Sequence, residues 1–126
     1  MKLARPDIAV NEKAAALTKE ALEAARRLGL TPTETAALFG VPQGAFNAMK
    51  KGDRAVDGLN GEAERADALV RVVKRLGTLL GDSETAWRSW LRRDVAPLGD
   101  KPLDLFAQRD GVLKVAQYLA SASKLA

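Results

Sequence analysis

The stretch "TPTETAALFGVPQGAFNAMKKG", residues 31–52, decides the fold. It contains two short segments, each able to make about two turns of helix, joined by Phe39-Gly40-Val41-Pro42. Thr31, Pro32 and Glu34 carry a helix-start signature. The threonine is a hydroxyl cap, and the proline stands where its missing N–H has no helical partner to lose. The glutamate lies three residues on, where it can reach back to the cap N–H. Gly40 stops the first segment, and Gly52 closes the second after Lys50-Lys51. The spacing fits a helix-turn-helix. Ala36 is small where the second helix must cross close. Gly40, four residues on, suits a tight turn with left-handed backbone, and Phe46, six further, fills the angle between the helices. Leu38 and Met49 complete the small core. An ordinary helical hairpin also ends its first helix on glycine. Cap, plug and basic ending together favour the DNA-binding motif.

On that reading the second helix enters the major groove and its N-terminal residues meet base edges. Gln43 and Asn47 lie four apart on one face beside Gly44, and both amides can bond adenine through two hydrogen bonds. Lys50, Lys51 and Arg54 follow at the far end and are expected to pair with phosphates. Thr31 and Thr33 open the preceding helix, whose dipole supports further backbone contacts. Gly44, Ala45 and Ala48 leave few base-reading groups, and Pro42 stands where a serine or threonine cap is usual. Modest sequence specificity, helped by DNA shape, is expected. A homodimer is expected too, because such proteins read paired half-sites in operator DNA.

Working outward, the chain has 126 residues and a formal charge of +4. It is rich in alanine, leucine, arginine and glutamate and lacks runs of β-branched and aromatic residues, so an all-α fold is expected. Cysteine and histidine are both absent. That removes thiol nucleophiles, disulfides and zinc–sulfur sites, along with the commonest general base and metal ligand. A binding protein with no cofactor, rather than an enzyme, is expected. No apolar run reaches ~18 residues, and "MKLARPDIAV" lacks the apolar core of a signal peptide, which points to the cytoplasm.

A first helix is expected over about Val10 to Leu28, with Ala14, Leu17, Ala21, Leu22, Ala25 and Leu28 as its apolar stripe. The polar loop "GDRAVDGLNG", residues 52–61, holds three glycines and suggests two modules, 1–58 and 59–126. A long helix over Glu62 to Leu80 places Ala66, Leu69, Val70, Val73, Leu76 and Leu80 on one face. Its Arg65, Arg71, Lys74 and Arg75, interleaved with Glu64 and Asp67, read as a solvated, partly salt-bridged face. Gly81 breaks this helix, Asp82 or Ser83 caps "SETAWRSWLRR", and Asp110 or Gly111 leads into "VLKVAQYLASAS".

Between those last helices runs "WLRRDVAPLGDKPLDLF", residues 90–106. From about Leu69 to Leu119 the chain resembles the toxin-binding domain of the Xre/MbcA/ParS-type antitoxins. In that family a helix ending in Trp-Leu precedes a loop of leucine, glycine, any residue, a basic residue, proline and leucine. A short helix, a glycine and a last helix with an aliphatic stripe follow. Trp90-Leu91 match the first element. Leu98-Gly99, Lys101, Pro102, Leu103 and Leu105 match the loop, and Gly111, Val115 and Leu119 match the last helix. "RRD" departs from the family's usual threonine or serine, proline and asparagine, and Lys101 stands where arginine is common.

The resemblance implies the antitoxin of a type II toxin–antitoxin pair. Its partner would be a RES-domain toxin, a class that consumes NAD⁺ or uses it for ADP-ribosylation. The antitoxin would occlude the toxin's NAD site and repress the shared operon. The residues expected in toxin binding are Trp90, Leu98, Gly99, Lys101, Pro102, Leu103 and Tyr118, with Arg92 and Arg93 at the point of departure from the family; Ser121, Ser123 and Lys124 stand on a tail read either as projecting toward the toxin's active site or as a frayed end. The alternative is a transcriptional regulator whose C-terminal half dimerises or binds another protein.

Overall fold

The computed structural model describes residues 4–125, with side chains from residue 12 onward. The fold is all-α: the regular elements among the described residues are helices α1 (Ala4–Arg27), α2 (Pro32–Phe39), α3 (Gln43–Lys51), α4 (Glu62–Leu80), α5 (Glu84–Leu91), α6 (Pro102–Phe106) and α7 (Gly111–Ser121), with a single 3-10 turn at Ala96–Leu98. None of these helices is long and apolar enough to cross a membrane. The long central helix has the bounds its periodicity predicts. α1 starts six residues earlier than expected, and Pro6 falls in its first turn, where a backbone N–H has no helical partner to lose.

α2 and α3 form as their caps dictate. The Thr31 hydroxyl accepts the Glu34 N–H at 3.0 Å and the Glu34 carboxylate accepts the Thr31 N–H at 2.8 Å, closing the capping box. At the other end Gly40 adopts φ 76°, and its N–H donates to the Ala36 and Ala37 carbonyls. Ala36, Leu38, Phe46 and Met49, the residues expected to form the core of this pair, are all buried, and Phe39 is buried with them.

The centre of the molecule is α4, which packs against both α1 and α7. That explains a difference from the sequence reading. A helix lying against one layer buries one stripe, but α4 also buries Ala68 and Val72 completely, beside Ala66, Leu69 and Leu76. Each fully buried leucine or valine here stabilises the fold by about 2 kcal/mol. One cluster of buried side chains runs from Ala21 and Leu28 in α1, through α2, α3 and α4, to Trp87, Phe106, Val115 and Leu119. It crosses the loop at 52–61 without interruption. The Thr18 hydroxyl pins that loop to α1, accepting the Val56 N–H at 2.9 Å and donating to the Ala14 carbonyl at 2.6 Å.

Two arginines of α4 are not the solvated side chains their sequence context suggests. Arg65 is buried, and its guanidinium donates to the Phe39 carbonyl (2.9 Å), the Asn60 carbonyl (3.0 Å) and the Asp110 carboxylate (3.1 Å). It lies under Gly40, where an added Cβ would sit 2.9 Å from Nη1. That glycine is therefore required twice, by its left-handed backbone and by the arginine beneath it. Arg75 donates to the Leu119 carbonyl at 2.9 Å and the Ala122 carbonyl at 2.7 Å, closing the C-terminal end of α7. Helix ends present unsatisfied carbonyls, and guanidinium groups with several donors satisfy them. Arg71 and Lys74 behave as expected: Lys74 is exposed, and Arg71 pairs with Asp67 at 2.9 Å on the exposed face.

Candidate nucleic-acid and partner interfaces

α3 divides into an exposed polar face and a buried apolar one. Gln43, Gly44, Asn47, Lys50 and Lys51 are exposed, while Phe46 and Met49 turn inward. The Lys50 ammonium stands 5.7 Å from the centre of the Phe46 ring, which steers it over the surface rather than away from it. Thr31 and Thr33 are exposed at the start of α2. The Thr31 oxygen is already occupied by the cap, which leaves its O–H as a donor.

Arg54 is a correction. It was expected to meet phosphate, but its guanidinium forks onto Glu62, with contacts of 2.9 and 3.0 Å. The Glu62 carboxylate is buried and also accepts the Asp57 N–H at 3.0 Å. A buried carboxylate stripped of its guanidinium is strongly unfavourable, so this pair holds Arg54 to the start of α4.

The second surface is the connection from α5 to α6. Ser83 caps α5, its hydroxyl accepting the Ala86 N–H at 3.2 Å. Past Leu91 the chain folds on itself. The Val95 N–H donates to the Asp100 carbonyl at 3.3 Å, the 3-10 turn fills the span, and Gly99 closes it at φ 78°. Lys101 reaches Asp94 at 3.4 Å across the base. Arg92, Arg93, Ala96, Pro97 and Gly99 are exposed; Leu98, Lys101 and Leu103 are half-buried. Two residues expected to touch a partner are largely buried, though Trp90 keeps an edge on the pocket beside the loop. Trp90 is 3% exposed and stacks on Tyr118 with ring centroids 6.4 Å apart, and Pro102 is buried where α6 begins. A large aromatic next to an apolar helix is drawn into the core by its own area.

The tail does not project from α7 at its base. Arg75 holds the Ala122 carbonyl, and Leu125 is half-buried against the core. Ser121, Ser123 and Lys124 remain exposed, with the Ser121 hydroxyl donating to the Tyr118 carbonyl at 3.2 Å. A pocket opens between Trp90, Arg93, Ala96, Pro97, Tyr118 and Leu125, so the loop, the last helix and the tail share one surface.

Sequence reasoning missed Arg65, and a signal for it existed. Arg65, Leu69, Val72 and Leu76 are spaced 4, 3 and 4 apart, which places the arginine on the buried stripe rather than the polar face.

Compared with models of protein families the chain matches none, and a comparison with curated proteins finds no match either.

Proposed function

We propose that this chain is the antitoxin of a type II toxin–antitoxin pair. Its α2–turn–α3 unit binds operator DNA as a helix-turn-helix, and its C-terminal part, from α4 onward, binds a RES-domain toxin. The observation that carries the reading is the division of residues 90–119 into framework and display. The apolar residues that resemble the antitoxin family, Trp90, Leu91, Val115 and Leu119, are buried. The loop between them exposes Arg92, Arg93, Ala96, Pro97 and Gly99 on a turn closed by its own bridge. Such a preorganised ridge loses little conformational entropy on binding. The exposed amides and lysines of α3 over a buried Phe46 support the DNA-binding half.

The toxin-binding surface consists of Arg92, Arg93, Leu98, Gly99, Lys101, Leu103 and Tyr118, with Ser121, Ser123 and Lys124 at its edge. Trp90 and Pro102 act through the shape they give that surface. By this reading the chain is a cytoplasmic homodimer that is not itself an enzyme.

Co-expression with the adjacent reading frame is the test. A RES-type neighbour that arrests growth alone and is neutralised by this chain is the expected result. Arg92→Ala with Arg93→Ala should weaken the complex at least tenfold in a pull-down titration, with unchanged helical circular dichroism. Full neutralisation by that double variant would return the loop to a mere connector. A neighbour of another kind, with operator binding intact, would favour a transcriptional regulator whose C-terminal half has a different partner.

A further inference from the structure

With Arg54 committed to Glu62, the cationic end of α3 gains a residue from a different helix. Lys19 of α1 lines the same cleft as Lys50 and Lys51, and it shares a second, adjoining cleft with Lys50 and Phe46. All three lysines are exposed. Among the described residues none of them lies within salt-bridge distance of a carboxylate; Asp53 lines the first cleft and Glu23, with Arg26, the second. The juxtaposition is built into the fold. One residue before Lys19, the Thr18 hydroxyl accepts the Val56 N–H, which holds the chain leaving α3 against α1. Phe46 keeps the Lys50 ammonium on the same side.

We propose that Lys19, Lys50 and Lys51 form one phosphodiester-binding track, with Lys19 the point where α1 meets the DNA backbone. This rests on the reading of α3 as a DNA-binding helix. Three ammonium groups around a cleft repel one another and are relieved by an anion with repeating charge. A nucleic-acid strand presents one phosphate per nucleotide, and Lys50 of the track shares a face of α3 with the exposed Gln43 and Asn47, seven and three residues before it. That continuity favours duplex DNA over an acidic protein segment. Lys19 contributes affinity without reading sequence; Arg54 also lines this cleft, but its guanidinium is held by Glu62.

The test uses the full chain and a fluorescent 30-base-pair duplex of arbitrary sequence, with binding followed by anisotropy over a potassium chloride series. Lys19→Ala should lower the magnitude of the slope of log K against log salt by about 0.9, as should Lys50→Ala, because each lysine releases one condensed counterion equivalent. Lys114→Ala, an exposed lysine on α7 that removes the same charge elsewhere, should leave the slope unchanged. A Lys19→Ala slope equal to that of wild type, with Lys50→Ala lowered, overturns the track and leaves the DNA-binding reading standing. Equal losses in Lys19→Ala and Lys114→Ala also overturn it, by showing an effect of net charge alone. Absence of duplex binding by the wild-type chain overturns both. Loss of toxin binding in Lys19→Ala with an unchanged DNA slope would assign the cleft to an acidic protein surface instead.

Discussion

Arg65 carries more of this structure than any other polar residue. Its guanidinium joins the last carbonyl of α2, the loop before α4 and the carboxylate that precedes α7. Its partner Asp110 adopts φ 59°, the one positive value among the described non-glycine residues. A left-handed aspartate is tolerable because its side chain is held by an opposite charge at the position the turn requires. Arg65→Ala leaves two carbonyls and a carboxylate without that donor, and should lower the free energy of unfolding by about 3 kcal/mol in urea titration. Arg65→Lys should recover only part, since one ammonium cannot span three acceptors in different directions. A lysine variant as stable as wild type would show that charge, not the fork, is what matters.

At the scale of elements, the α6–α7 corner holds the closest backbone approach to any described glycine. A Cβ placed on Gly111 would lie 1.7 Å from the Leu105 carbonyl oxygen, so α7 can begin there only on glycine. Here the glycine is demanded by close approach rather than by its own backbone angles. Gly111→Ala should cost about 3 kcal/mol, since the overlap is with backbone and no side chain can move aside. The measurement is the shift in thermal midpoint, with loss of the near-ultraviolet signal from the Trp90–Tyr118 stack that α7 supports. A midpoint within a degree of wild type would mean that the corner can open without consequence. The resemblance marks Gly111 as a family position. The contact supplies the physical reason for it.

At the scale of the whole molecule, α1 and α5 are tied across more than fifty residues of sequence. Arg27 bonds Glu84 at 2.8 Å and Asp82 at 3.1 Å and lies 4.5 Å over the Trp87 ring, while Arg88 donates to the Arg27 carbonyl at 3.1 Å. The hydrogen bond from Arg27, with the nearby positive charge of Arg27, Arg88 and Arg26, holds the Glu84 carboxyl below its ordinary value, against a weaker opposing effect of desolvation. A lowered folded-state pKa stabilises the fold at pH above the ordinary value of 4.5. That contribution is lost as pH falls through the folded value. The thermal midpoint should therefore fall on acidification below that range, and less steeply in Glu84→Gln than in wild type. Equal acid slopes would show that the pair does not survive in solution. The pair is exposed enough for salt to weaken it.

What the sequence by itself determined was local. The capping box at Thr31, the stop at Gly40, the bounds of α4 and the plug at Phe46 all follow from residues within a few positions of one another. Backbone hydrogen bonding and side-chain periodicity act over that range. The exposed face of α3 and the closed loop after Leu91 were legible for the same reason. What only the tertiary structure decided was the fate of the charged residues. Arg54, Arg65 and Arg75 resemble Arg71 in sequence, yet Glu62 and distant carbonyls capture the first three while Arg71 keeps a neighbour on its own helix. Lys19 joins the surface of α3 for the same kind of reason. A charge on a long flexible side chain takes its partner from whatever the packing brings within reach, and that packing is set by the apolar core, not by the residues beside it in the chain.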